Sequence, residues 1–273
     1  MATETRRAGL GSVAGAFLRM DSVEDISYPL SLLLSQLSII IPVFITFFVG
    51  ELVGESPEIG DDYFTFAIIG MTVSTILGAA LSGFGGSLQR AQNRGTFETL
   101  LVEPVPWTVL PFAMNLWRII LGVWGGTLIF ILGMLLGANY VLSGLLEFIV
   151  LLVLGVFASM GIGVVSASLM VLAKRGQPLL TLYGMASSLL AGAVFSVNQL
   201  PPFLKALSWL IPHTYVINSA RAVLMDDPGT FSIEFSTAVM ALLIFNVVIF
   251  VGGLWLFTRS LQYARKMGML SGY

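Results

Sequence analysis

At 273 residues the chain has the length of one or two soluble domains, yet 56% of its residues are hydrophobic and only 10% are charged, where soluble domains carry roughly a quarter charged residues. Its 13 basic and 15 acidic side chains cannot cover a water-facing surface of that size, so composition excludes a soluble globular domain and implies an integral membrane protein. The absence of cysteine removes disulfides, thiolate nucleophiles and thiolate metal sites, and the lone histidine, His213, cannot build a histidine metal cluster.

In chain order, residues 1–28 read as a cytoplasmic N-terminal interfacial helix. Leu10, Val13, Ala14, Phe17 and Met20 recur at helical spacing, with Arg19, Asp21 and Glu24 elsewhere on the wheel, a pattern suited to a helix lying on the membrane surface; a solvated leader is the alternative. Charge continues through Asp25, and the first apolar run is too long for the core of a cleaved signal, so that run is expected to stay as a span. Crossing a hydrocarbon core of about 30 Å takes about 20 apolar residues at about 1.5 Å each. Six stretches qualify between residues 29 and 257: near Pro29 to Val53, Tyr63 to Leu88, Met114 to Gly137, Gly144 to Ala173, Pro178 to Val197 and Phe235 to Phe257. The predicted fold is therefore an all-α integral membrane domain of six transmembrane helices, followed by a cytoplasmic tail over 258–273.

Basic residues orient it. Arg6, Arg7, Arg19, Arg90, Arg94, Arg118, Lys174, Arg175, Arg259, Arg265 and Lys266 fall on one side, whereas Lys205 and Arg221 fall on the other. The positive-inside rule makes the first side cytoplasmic, with both termini on it, and turns the acidic loop of Glu51, Glu55, Glu58, Asp61 and Asp62 outward. The expected location is a cell membrane, with the chain crossing it several times.

The chemistry that is missing narrows the function. Ionisable residues are nearly absent from the span interiors, where burying charge is expensive unless function demands it. Arg118 and Glu147 lie near span ends and can snorkel, and His213 reads as an interfacial polar residue. No catalytic group and no metal site are predicted. None of the three lysines follows a glycine, so the G-x-x-x-x-G-K-[ST] phosphate loop is missing and nucleotide hydrolysis is expected from another polypeptide. The run Gly83 to Gly86 ends a span, where small residues permit close helix packing.

Two segments carry more information. The loop helix expected at about 89–103 has Thr96 to cap free N–H groups, Glu98 at the positive end of the helix dipole, and Pro104 to stop it. Phe97, Leu100 and Leu101 share one face, flanked by Arg94 and Glu98; such a helix either lies on the membrane or docks to a soluble partner. The second segment, about 199–227, contains two apolar pieces, Phe203 to Ile211 and Thr214 to Met225, each too short to span and separated by Pro212. They read as re-entrant outer half-helices between spans five and six, the alternative being an amphipathic loop resting on the bilayer.

At these residues the sequence resembles a family. Arg94-Gly95-Thr96-Phe97-Glu98-Thr99-Leu100-Leu101, followed by Pro104, is similar to the R-G-T-x-E-x-L-L…P signature of the type 2 ABC exporter permeases, which move drugs, lipids or polysaccharides outward. Leu200-Pro201, Pro212 and Arg221 resemble the same family's L-P…P…R pattern before its last span. The resemblance implies two permeases, as a homodimer or pseudo-symmetric heterodimer, and two separate ABC ATPase subunits that bind ATP and Mg; this chain itself holds no cofactor. It also implies that Gly95 to Leu101 form a cytoplasmic coupling helix seated in the ATPase and that the outer half-helices narrow the exit. Phe97 departs from the commoner leucine, an exchange of one apolar group for another.

An ion-coupled secondary transporter is the rival within transport, but no inverted repeat is visible. A membrane-embedded enzyme would need paired acidic, histidine or lysine groups at one depth, which the sequence does not offer. The partners expected are thus the ATPase, a second permease copy and lipid, with no nucleic acid. A path between two copies would be lined by uncharged residues such as Met71, Ser74, Thr75 and Phe195, which suits amphipathic or lipid-like cargo.

Overall fold

A computed structural model of the chain describes residues 10–53, 62–93, 95, 109–173 and 177–266, and among these every regular element is a helix. α1 (Leu10–Ile26), α2 (Pro29–Val53) and α3 (Tyr63–Asn93) are followed by α4 (Leu110–Leu135), α5 (Leu145–Ala173) and α6 (Gln177–Leu190). Two short helices come next, α7 (Pro202–Ser208) and α8 (Pro212–Leu224). The last is α9 (Phe235–Phe245), which continues through a π-helical turn at Asn246–Phe250 into α10 (Val251–Lys266). Within that turn the Asn246 amide donates to the carbonyls of Leu154, at 3.0 Å, and Leu242, at 2.9 Å, so the irregular backbone is tied to α5.

Among the described residues five stretches are long and apolar enough to cross a membrane: Pro29–Leu52, Tyr63–Ala91, Leu110–Leu135, Leu142–Leu169 and Phe235–Tyr263. The sequence predicts six, and the difference is the stretch expected over 178–197. There α6 runs for 14 residues, about 21 Å of helix against a core of about 30 Å. It ends where Gly192 takes a left-handed φ of 70°, a conformation that costs a residue with a Cβ. The chain then turns to Ser196, whose side chain accepts from the N–H of Asn198.

The long helix α3 is the centre of the bundle, packed chiefly against α4 and α5. Apolar surface alone gives helices no reason to associate in lipid, so polar contacts fix the pairing. The Asn115 amide on α4 donates to the Ala80 carbonyl at 2.7 Å, and the Ser87 hydroxyl on α3 donates to the Met114 carbonyl at 3.1 Å. Such bonds contribute about 0.6 to 2 kcal/mol each in a membrane. α4 begins at Leu110, earlier than the expected Met114, because Pro111 fits the first turn, where no N–H is needed.

The helix predicted over 1–28 is described from residue 10 onward as α1, and part of its apolar stripe packs into the bundle. Val13, Phe17 and Asp21 face the bundle while Met20 is 53% exposed. The reason is charge: Asp21 lies in the field of Arg90 and Arg118, and the neighbouring Asp25 accepts a 2.7 Å bond from the Trp117 indole. Burial pushes the Asp21 carboxyl up, and the two arginines oppose that shift.

Candidate functional site

The residues predicted for docking fall mostly beyond description. Arg94, Thr96, Phe97, Glu98, Leu100 and Leu101 lie outside the described residues. Gly95 is described: it is exposed, with a left-handed φ of 69° two residues after α3 ends, a helix-terminating conformation. The docking segment therefore joins the ends of α3 and α4, the end of the bundle at which α1 meets Arg90 and Arg118.

The second predicted segment is built around two prolines. Pro201 precedes α7 in an extended conformation, and Leu200, half-buried, closes the short turn before it. Pro212 is the first residue of α8, after an extended Ile211, because a proline disfavours helical backbone in the residue before it and fits a first helical turn. The Thr214 hydroxyl donates to the Ser208 carbonyl at 2.7 Å and fastens α8 to the end of α7.

α8 is buried almost all round, and Arg221 lies within it at 0% exposure. Sequence counting assigns Arg221 to the outer side and reads His213 as interfacial; the structure adds that both are buried within the protein. The Arg221 Nε donates to the Phe66 carbonyl at 3.1 Å, Nη2 to the Ala193 carbonyl at 2.8 Å, and Nη1 to the Asn218 amide oxygen at 3.2 Å. Its guanidinium also stacks 3.3 Å from the centre of the Phe66 ring. Asn218 in turn donates to the carbonyls of Ala191, at 3.2 Å, and Thr214, at 2.8 Å. One cation thus clamps three elements: the first turn of α3, the turn after α6, and α8. The Asn218 to Arg221 spacing of three residues is the signal in the sequence, since it places both on one face.

His213, at the start of α8, is 4% exposed and borders a cavity of about 240 Å³. Ser74, Thr75 and Gly78 of α3 form one wall, and Gly184, Ser187 and Ser188 of α6 form another. On α6 these three fall at i, i+3 and i+4, one face of the helix, whereas Leu182, Met185 and Leu189 point away and are exposed. The Ser187 hydroxyl donates to its own helix, to Gly184 at 3.0 Å. Ser74 Oγ and His213 Nδ1 are buried without a hydrogen-bond partner, and so is the hydroxyl of Tyr183, whose ring meets His213 edge-on at 6.0 Å. Unpaired buried polar atoms are rare in native structures and call for a cause.

Of the four predicted path residues, Ser74 and Thr75 share this cavity. Met71 does not: its sulfur accepts from the Thr46 hydroxyl at 3.3 Å. Phe195 sits half-buried in the turn after α6. On the opposite face of α3, Thr72 and Ile76 floor a larger groove of about 800 Å³, walled by apolar side chains such as Leu116 and Val123 of α4 and Leu152 and Val156 of α5. Its lining fits hydrocarbon and offers almost nothing polar.

Among curated proteins none matches the chain. A family model does: the one described as ABC-2 type transporter matches residues 31–225.

Proposed function

The chain belongs to the ABC-2 type transporter family, as a membrane permease component, and from that premise we propose that it is the transmembrane subunit of an ATP-driven exporter of amphipathic molecules. The observation that carries the proposal is the extent of the match, residues 31–225, which encloses both the Arg94 to Pro104 segment and the Leu200 to Arg221 segment. In this reading Gly95 to Leu101 seat in a separate ATPase that binds ATP and Mg. Two permeases and two ATPases make the working unit, and the exposed apolar faces of α2 and α6 are available to a second copy and to lipid. α6 and the turn that follows it complete a fifth crossing of six, while α7 and α8 enter the outer leaflet and return, narrowing the exit at Leu200, Pro201, Pro212 and Arg221.

Reconstitution tests the division of labour. The purified chain is expected to hydrolyse no ATP alone and to support turnover once the cognate ATPase is added; robust turnover by the permease alone, after contaminant controls, would defeat the assignment.

Orientation is tested separately, and the cysteine-free sequence makes the test clean. Single cysteines at Glu4, Glu58, Gln92, Lys174, Lys205 and Ser271 are labelled in intact cells with an impermeant thiol reagent. Glu58 and Lys205 positions are expected to react and the other four to stay protected. Labelling at Gln92 without labelling at Glu58 would invert the topology.

A further inference from the structure

We infer that the cavity between α3, α6 and α8 is a recognition site for an uncharged, hydroxyl-rich head group carried by an amphipathic molecule, of the kind a glycoside or polyol presents. The exporter reading is its premise only in making the bound molecule a cargo. Binding itself requires neither ATP nor an ATPase.

Polar lining is the first support. Ser74 and Thr75 of α3, Ser187 and Ser188 of α6 and His213 of α8 bring four hydroxyls and an imidazole to one small cavity. Ser187, 3% exposed, spends its donor within its own helix and keeps acceptor capacity. Polar groups gathered inside an apolar bundle are costly and mark a site by default.

Charge selects the ligand. Among the described residues that line the cavity none is acidic or permanently cationic, and His213 is the titratable one. Arg221 is two turns further along α8, with its donors committed to Phe66, Ala193 and Asn218. A phosphate would find no counter-charge here, and an ammonium group would find neither a carboxylate nor an aromatic cage. Serine and threonine hydroxyls and a neutral imidazole each combine donor with acceptor capacity. The complementary group is one that does the same, and hydroxyls do.

Size limits how much of the molecule enters. A volume of about 240 Å³ equals about eight waters at about 30 Å³ each and falls below the roughly 300 to 1,000 Å³ of sites that enclose a whole drug-sized ligand. It accommodates a head group of one ring or a short polyol. The exposed Ser188 leaves the mouth open, so the hydrocarbon tail stays outside.

The test uses Ser188→Cys as a reporter, in an otherwise cysteine-free chain held in phosphatidylcholine nanodiscs. Thiol labelling of that cysteine is timed with octyl glucoside, octyl phosphocholine or octyl trimethylammonium, each below its micelle concentration. Octyl glucoside is expected to slow labelling and the two charged probes are not. Gly184→Leu then fills the cavity: a Cβ there meets nothing within 4 Å, so the fold accepts it. This variant, monodisperse like its parent, is expected to bind the glucoside roughly tenfold or more weakly, the value of one or two hydrogen bonds. Equal protection by all three probes, protection that survives Gly184→Leu, or no protection by the glucoside, which would mean a cavity holding water only, each overturns the inference. ATP-driven export of another cargo without glucoside protection sinks this inference and leaves the exporter reading intact. Protection by the glucoside in a chain that recruits no ATPase does the reverse.

Discussion

Arg221→Leu is expected to destabilise the folded chain by on the order of 3 kcal/mol. Hydrogen bonds to a charged group contribute about 1.5 to 3 kcal/mol each, and Arg221 makes three of them besides its stacking contact with Phe66. Against that sum stands the cost of stripping water from a guanidinium, several kcal/mol, which leucine does not incur. The two nearly cancel. What remains is the set of acceptors left behind, above all the Ala193 carbonyl in the turn after α6 and the Asn218 oxygen, at about 1 to 3 kcal/mol for each one unpaired. Arg221→Lys should recover little, since one ammonium cannot reach three acceptors arranged for a planar fork. Thermal unfolding in detergent checks this, with a fall of roughly 10 °C expected for both variants. An unchanged or higher Tm in Arg221→Leu would show that desolvation outweighs the three bonds, and the clamp would then contribute no stability.

Apart from the Asn218 to Arg221 spacing, that clamp leaves little trace in the sequence, for a physical reason. Counting basic residues by loop treats a cation as a surface marker, and the apolar piece around Arg221 is too short to be flagged as buried. Burial arises because Val216, Ile217, Ala220 and Leu224 pack α8 on its other sides, a fact of tertiary contact. The long helices were legible because twenty apolar residues leave few alternatives, and α1 was legible from its spacing, although Asp21 rather than Met20 turned inward. Over the 178–197 stretch hydropathy does not register the left-handed turn at Gly192, which ends the regular helix short of a full crossing. Of the cavity, Ser74 and Thr75 were picked out as small polar residues in an apolar helix; Ser187 and Ser188 carry the same signal on α6, at i+3 and i+4 from Gly184, and were passed over.

Phe97→Ala is expected to weaken ATPase docking tenfold to a hundredfold, since burying a large apolar side chain is worth about 1.5 to 3 kcal/mol. If Glu98 meets a cationic group of the ATPase in a partly desolvated cleft, Glu98→Ala should cost less affinity and more coupling, because that charge-assisted contact transmits motion as well as binding. The fold supplies a route for that motion. α3 runs 31 residues, about 46 Å at about 1.5 Å each. Near one end of it the Phe66 carbonyl is held by Arg221, midway it forms the Ser74 and Thr75 wall of the cavity, and its other end leads into the loop of Phe97 and Glu98. On the proposed docking, a displacement of that loop would be carried along α3 to the cavity wall, with the clamp as the fixed point. Co-purification of the ATPase and cargo-stimulated hydrolysis are measured for both variants beside Glu147→Ala, an exposed carboxylate at the far end of the α4 and α5 pair. Wild-type docking and wild-type coupling in both loop variants, at normal expression, would mean that the loop helix only lies on the membrane, and α3 would have no input to transmit.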